Sequence, residues 1–149
     1  MPNEYIIAPG QTLMSTTDLQ GNITYANDAF VEASGYAYDE LIGQPHRMVR
    51  HPDMPKVAFR DFWQTIQQGQ SWRGMVKNRR KDVDFYWVLA HVSPMYRDGE
   101  HVGYISVRIA PDRQDIEPTQ QWYAALSASQ SSNTLFKGIM VPQRAWSPV

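Results

Sequence analysis

Three strand-like runs that follow one another in the second half of the chain constrain its fold more than any other feature. They cover residues 71–78, 84–96 and 101–110, and each is rich in apolar and β-branched or aromatic residues. The Asp98-Gly99 pair between the last two runs is typical of a tight β-hairpin turn. In the middle run both alternating faces are largely apolar, which predicts a long strand that is central in the sheet.

Two shorter strands and several helical segments precede these runs. Residues 12–17 and 22–26 are predicted strands on either side of a turn at Gly21. Short helices follow, and residues 55–68 place their apolar side chains on one side of a longer helix. The order predicts an α+β fold, a five-stranded antiparallel sheet with short helices packed on one face. Because the helices lie between the second and third strands, they can close over the sheet and leave a cavity for a ligand.

An arm and a tail flank this domain, which covers residues 12–111. Residues 1–11 contain two prolines and a glycine and form an N-terminal arm that packs on the domain or on a partner. Residues 112–149 hold a predicted amphipathic helix over 115–128, then a low-complexity linker and an apolar segment over 135–141. No apolar run approaches the roughly 18 residues that span a bilayer, and the N-terminus has no secretory h-region. We therefore expect no membrane contact by this chain itself.

Composition and charge exclude several classes of function. The 149 residues include no cysteine, so disulfides, thiolate metal sites and cysteine nucleophiles are ruled out. The net charge is −1, and the basic run at residues 77–81 is offset by Asp82 and Asp84, so we expect no nucleic-acid binding. The four histidines form no compact ligand pair, which argues against a metal site. No nucleophile–base–orienter set or glycine-rich phosphate loop is visible, so we do not expect an enzyme.

Three segments of the chain match a known family. Residues 18–43 follow the pattern Asp-x-x-Gly-x-Ile-x-x-x-Asn-x-x-Phe, then Ser-Gly-Tyr and Glu-Leu-x-Gly, and they resemble the opening of a PAS domain. Residues 44–55 and 71–81 are similar, more narrowly, to the PAS domain of the bacterial aerotaxis receptors. The likeness runs from about residue 13 to residue 108, which is most of the chain.

This resemblance implies a fold and a function. It implies the PAS fold, with FAD bound noncovalently, and a sensor of redox state or oxygen that is the input domain of a chemotaxis transducer for energy taxis. It also implies a homodimer and a cytoplasmic domain of an inner-membrane receptor. In that family a membrane anchor and a signalling region follow, and they act on a chemotaxis kinase and its adaptor. The absence of cysteine excludes the cysteinyl–flavin photoadduct of light-sensing domains.

Two residues of the third strand are the first candidates for contact with the flavin ring. By resemblance Trp72 lies against the cofactor, where its ring can stack and its N–H can donate; otherwise it is a core tryptophan. Asn78 shares a strand face with Trp72 if no bulge intervenes; otherwise it is a turn residue. Its amide can donate to N5 of oxidised flavin or accept from N5–H of reduced flavin. We expect the redox signal to arise from this change in hydrogen bonding.

The proline-bounded loop before the longest helix supplies further candidates. Arg50 and His51 suit a pyrophosphate or the edge of an adenine. Asp53 takes part in ligand binding or caps the helix that follows, and the two roles are compatible. His46 lines the same pocket or is satisfied by the backbone. Asn27, in an earlier segment, bonds the cofactor or only caps its own helix, with the cap favoured.

Three other functions of a PAS domain are compatible with the sequence. A haem-binding gas sensor would need an axial ligand, and His46 and His51 are the candidates. A cofactor-free module would dimerise through its arm or its final helix. An enzymatic flavoprotein is a weaker alternative, because the sequence supplies no evident acid or base for a substrate.

Overall fold

The five strands form one antiparallel sheet, as predicted. The structure is a computed structural model, and it describes residues 1–129. The strands are β1 Leu13–Thr17, β2 Ile23–Ala26, β3 Trp72–Arg79, β4 Phe85–Arg97 and β5 Glu100–Ile109. They lie in the order β2-β1-β5-β4-β3, so the chain returns from β2 to the far edge of the sheet through its helices.

The hairpin between β4 and β5 has the predicted turn. Asp98 and Gly99 have φ angles of 51° and 80°, the left-handed values that a two-residue hairpin turn requires. β4 is an interior strand between β3 and β5, as predicted. The middle strand of the five is β5, because β1 pairs with the edge of β5 that faces away from β4. At Gly103 the chain of β1 comes so close that an added Cβ would lie 1.9 Å from the carbonyl oxygen of Thr17. Only glycine fits where these two strands meet.

The elements between β2 and β3 cover one face of the sheet. They are α1 Asp28–Ser34, α2 Tyr38–Leu41, a 3-10 helix His46–Val49 and α3 Lys56–Gln67. Phe30 and Leu41 from this layer pack in one buried cluster with Leu13 and Val88 of the sheet. The helices are therefore held against the strands by a shared apolar core.

The two predicted helix caps have different outcomes. Asn27 caps α1, because its Oδ1 accepts from the backbone N–H of Phe30 at 3.0 Å. The same oxygen accepts from the N–H of Met14 at 3.0 Å and ties the helix start to β1. The capping role predicted for Asp53 is wrong, since the N-cap of α3 is Pro55 and makes no side-chain hydrogen bond. The Asp53 carboxylate bonds a lysine of β3 instead.

The final helix, α4 Ile116–Ser129, lies against the other face of the sheet. The Tyr123 hydroxyl donates to the carbonyl oxygen of Met75 at 2.6 Å, and the Tyr123 ring lies 6.2 Å from that of Trp87. Met75 and Trp87 lie on the strand face opposite to Trp72, because side chains alternate along a strand, and they share a buried cluster with Tyr123 and with Val57 and Ala58 of α3. A 3-10 helix, Arg113–Asp115, leads into α4. Both faces of β3 and β4 are thus covered.

The N-terminal arm packs on the domain. The backbone N–H of Tyr5 donates to the carbonyl oxygen of Phe85 at 2.7 Å, and Ile7 is buried with the core of the domain. Glu4 forms an ion pair with Arg113 over 2.7 Å. The arm therefore links the start of β4 to the segment that leads into α4.

The linker predicted at residues 127–134 begins inside α4, which extends to Ser129. The rest of that linker and the apolar segment 135–141 lie outside the described residues. Within residues 1–129, the helices are all too short or too polar to cross a bilayer.

Candidate functional site: a cleft between the helices and the sheet

A cleft of about 1000 Å³, including the part of its mouth that opens to solvent, lies between the helical layer and the sheet. Aromatic and aliphatic side chains dominate its walls, among them Phe59, Phe62, Trp63, Trp72, Val92 and Tyr104. The predicted cavity between helices and sheet is therefore present.

Trp72 lies in the cleft wall at the start of β3 and is 3% exposed. Its Nε1–H donates to the buried carboxylate of Asp61 at 2.8 Å. Its indole meets the ring of Phe62 edge-on at 5.2 Å, and a Cβ added at Gly74 would lie 2.2 Å from the indole. The N–H predicted to reach a ligand is thus already used inside the protein, and the ring alone faces the cleft.

Asn78 lines the cleft at the other end of β3. The pairing of β3 with β4 runs without a bulge, so Asn78 shares a strand face with Trp72, as predicted. Its backbone pairs with that of Arg50 in an isolated bridge. The Tyr86 hydroxyl nearby is buried, and within residues 1–129 it completes no hydrogen bond of standard geometry. Burial raises the pKa of Tyr86 to about 12, and Arg108 and the adjacent Asn78 amide oppose that rise.

Arg47 and Arg50 bring positive charge to the cleft from the loop that precedes α3. The Arg50 guanidinium lies 3.5 Å from the ring centre of Phe59. Its Nε is buried, and no group in the described part of the chain accepts its hydrogen. Burial and the neighbouring Arg47 lower the pKa of Arg50. Since no carboxylate of residues 1–129 lines the cleft, these cations favour an anionic ligand.

His46 lines the cleft, and side chains rather than the backbone satisfy its Nε2. Arg108 Nη1 lies 3.2 Å and Ser15 Oγ 3.0 Å from this nitrogen. A guanidinium can only donate, so His46 Nε2 accepts and the ring proton is on Nδ1. Loss of solvation, then Arg108, lowers the pKa of His46 to about 3, although the residue keeps some exposure on the cleft side. His46 is therefore a neutral acceptor stacked on Phe30.

Like Arg47, Arg108 is a cleft residue that sequence reasoning missed. It is 2% exposed and its Nη atoms donate to Ser15 and Ser106. Burial lowers its pKa to about 10. Its position in β5 could have revealed it. Tyr104, Ser106 and Arg108 lie on the same buried face of that strand, and a charged side chain is unusual there.

His51 and Asp53 do not line the cleft, and neither does Asn27. His51 Nδ1 accepts from the backbone N–H of Asp53 at 2.9 Å, and its ring meets Phe85 edge-on. Asp53 bonds Lys77 Nζ over 2.7 Å. Phe85 and Lys77 lie on the outer face of β3 and β4, which is the face turned away from the cleft. His51 and Asp53 contact these two side chains, so they lie on the opposite side of β3 from the Arg50 side chain.

The charge of Lys77 influences the pKa values of both Asp53 and His51. Lys77 is the main cause of the lowered pKa of Asp53, through its hydrogen bond. Partial burial, then Lys77, lowers the pKa of His51. Through these contacts His51 and Asp53 tie the loop that carries Arg50 to the outer face of β3.

The arrangement suits binding of a flat, anionic, hydrogen-bonding ligand. Among residues 1–129, no group of three or more His, Asp or Glu side chains is placed to hold a metal ion. The histidines proposed as haem ligands are poorly placed, because His46 Nε2 is already bonded and His51 lies outside the cleft.

Comparison with a family profile described as PAS fold gives a match over residues 23–108, more than half of the chain. Among curated proteins, the chain is 51% identical over 140 residues to the aerotaxis receptor of Escherichia coli strain K12. It is 32% identical over 104 residues to a nitrogen fixation regulatory protein of Klebsiella pneumoniae. These matches cover 94% and 69% of the chain, but only 28% and 21% of the two relatives.

Solved structures show the same fold. A PAS domain from Colwellia psychrerythraea matches with a TM-score of 0.61 and 25% identity, over 68% of this chain and 87% of that one. The light-state structure of the blue-light photoreceptor Aureochrome1 LOV matches with a TM-score of 0.65 and 23% identity. That second match covers 81% of this chain and 91% of the photoreceptor chain.

Proposed function

Because this chain belongs to the PAS-fold family, we propose that it is a flavin-binding redox sensor and the input domain of an aerotaxis-type receptor. The relatives it matches are named as a receptor and a regulatory protein, so the chain is a sensory domain and not an enzyme in its own right. The finer assignment, noncovalent binding of FAD, goes beyond the family and rests on the cleft.

One observation carries the proposal: a cleft walled by aromatic side chains contains three guanidinium groups and no lining carboxylate of residues 1–129. A flavin needs a flat apolar slot, cations for its phosphates and hydrogen-bonding groups at the ring edge. The faces of Trp72 and its aromatic neighbours suit the ring. Arg47 and Arg50 suit the phosphates, and Asn78 and His46 provide groups for the polar edge.

Asn78 is the residue that we propose reads the redox state. Bound flavin would supply a redox couple whose N5 edge accepts a hydrogen bond when oxidised and donates one when reduced. The Asn78 amide offers an NH₂ donor and a carbonyl acceptor, so a rotation of the side chain matches either state. Its backbone pairs with Arg50, and the next loop residue, His51, donates to the carbonyl oxygen of Lys77 at 3.2 Å. A change at Asn78 thus passes to the loop of Arg50 and His51 through these backbone contacts.

His51, Asp53 and Asn27 take supporting roles in this proposal. His51 and Asp53 stabilise the loop of Arg50 from outside the cleft. Asn27 fixes the start of α1 against β1.

The proposed partners follow from the aerotaxis-receptor relative, of which the chain spans 28%. We propose that the domain works as a homodimer on the cytoplasmic side of the inner membrane. Its signal would pass to the signalling region of the same receptor, and from there to a chemotaxis kinase and its adaptor.

The test is the absorption spectrum of the purified protein, followed by release of its cofactor and identification by mass. The proposal predicts a flavin spectrum that bleaches on reduction with dithionite, and a released molecule with the mass of FAD. A haem spectrum, or a colourless protein that does not take up added FAD, would refute it.

A further inference from the structure

Arg108 is a buried cation in the wall of the cleft. Its guanidinium makes three hydrogen bonds, and all go to uncharged groups. Nη1 donates to Ser106 Oγ at 2.5 Å and to His46 Nε2 at 3.2 Å, and Nη2 donates to Ser15 Oγ at 2.9 Å. Ser15 Oγ, which accepts from Arg108, also lies 3.0 Å from His46 Nε2. The network fixes the guanidinium in place without any anion.

These contacts leave the charge of Arg108 uncompensated. None of the acidic side chains in residues 1–129 forms an ion pair with it, and its Nε–H lacks an acceptor there. A buried charge is costly unless it is paired. The ring of Phe30, 4.3 Å from Arg108 Cζ, reduces this cost but does not neutralise the charge. An electron-rich group of a ligand in the cleft would supply the missing partner.

We propose that Arg108 is a specificity-determining residue of the cleft, whose fixed charge makes the cleft bind the reduced, electron-rich form of its ring ligand more tightly than the oxidised form. This inference rests on the proposed function, in which the ligand is a flavin. Reduction adds electron density to the ring, so a nearby guanidinium that does not move contributes more to binding of the reduced form.

By thermodynamic linkage, a preference for the reduced form raises the reduction potential of the bound flavin. For a two-electron couple, each tenfold ratio between the two affinities corresponds to about 30 mV. The reduction potential therefore measures the contribution of Arg108 directly, without any signalling assay.

The experiment compares the wild-type protein, carrying its flavin, with Arg108→Gln and Arg108→Lys. Glutamine removes the charge but can still donate and accept hydrogen bonds, whereas lysine keeps the charge. Arg97→Gln is the matched control, because Arg97 is exposed at the end of β4 and its loss changes the net charge equally. Anaerobic titration against reference dyes gives the reduction potential, and absorbance gives the occupancy.

We expect Arg108→Gln to retain bound flavin at a potential lower by about 30 mV or more, a tenfold loss of preference for the reduced form. Arg108→Lys and Arg97→Gln should lie closer to the wild type. Bound flavin at the wild-type potential in Arg108→Gln would overturn the role of Arg108 and leave the proposed function intact. So would failure of Arg108→Gln to fold by circular dichroism, which would assign the guanidinium a structural role. A wild-type protein that binds no flavin would refute the proposed function itself, and this inference with it.

Discussion

The indole N–H of Trp72 donates to the buried carboxylate of Asp61 over 2.8 Å, so a strand residue of the cleft wall is fixed to the helix that faces it. Asp61 belongs to α3 and Trp72 to β3. The bond holds the indole in one orientation between the ring of Phe62 and the backbone of Gly74. The flat wall that we propose for the flavin is thus organised before any ligand binds.

Replacing Trp72 by alanine should lower the free energy of unfolding by about 3–5 kcal/mol. The substitution removes a large buried ring and takes the indole donor from the Asp61 carboxylate. Urea denaturation of the purified variant measures the change. Trp122→Ala is the control, because Trp122 is 36% exposed on α4, and it should cost less than about 1 kcal/mol. Equal losses in the two variants would contradict the packing described for Trp72.

Gly74→Ala should displace the indole of Trp72, because its Cβ would lie 2.2 Å from that ring. In a Trp72→Phe background the smaller ring leaves room, so the same substitution should cost less. The unfolding free energies of the four proteins give a coupling between the two sites, expected to exceed about 0.5 kcal/mol. Additive effects would mean that Gly74 is required for another reason.

Arg50→Gln should weaken FAD binding by about ten- to a hundredfold, the loss of one charge-assisted hydrogen bond of about 1.5–3 kcal/mol. Isothermal titration of flavin-depleted protein with FAD measures the affinity. Arg60→Gln carries the same change of charge at an exposed position of α3 and should bind FAD like the wild type. If both variants bind FAD equally well, the phosphates do not lie near Arg50.

His46 should make the fold sensitive to acid. Its folded pKa of about 3 lies below its ordinary value of 6.5, so its contribution to stability is complete above pH 6.5 and is lost as the pH falls toward 3. From about pH 7.5 to about pH 5.5 the contribution of His46 to the free energy of unfolding should fall by about 1.4 kcal/mol, and this value holds for any folded pKa well below 5.5.

Urea denaturation at these two pH values, with His46→Gln as the comparison, isolates the effect. Glutamine keeps an acceptor for Arg108 but does not titrate, so the variant should lose about 1.4 kcal/mol less than the wild type. The pKa values of His51 and His91 are also lowered, but both proteins share those contributions. The same pH dependence in the two proteins would show that His46 protonates normally in the fold.

The sequence predicts the sheet well because its signals are local. Asp98-Gly99 specifies a hairpin turn whatever surrounds it, and the two apolar faces of residues 84–96 require an interior strand. The middle position of β5 was not predictable in this way, because it depends on the pairing of β1 with β5 across some 90 residues.

The cleft was predicted only in part, for two physical reasons. Arg50 and His51 are neighbours in sequence, but the loop runs along the edge of β3, so Arg50 lines the cleft while His51 packs on the outer face. Arg108 was missed because its acceptors, Ser15 and His46, come from distant segments, and a strand arginine looks like a solvated residue until that network is known.

A crystal structure of the protein with its bound cofactor tests the central claim most directly. We expect an isoalloxazine ring inside the cleft, flat against apolar side chains that include Trp72, with Asn78 at its N5 edge and Arg50 toward its phosphates. A flavin bound on another surface, or a cleft filled by the protein's own side chains or by a porphyrin, would contradict it.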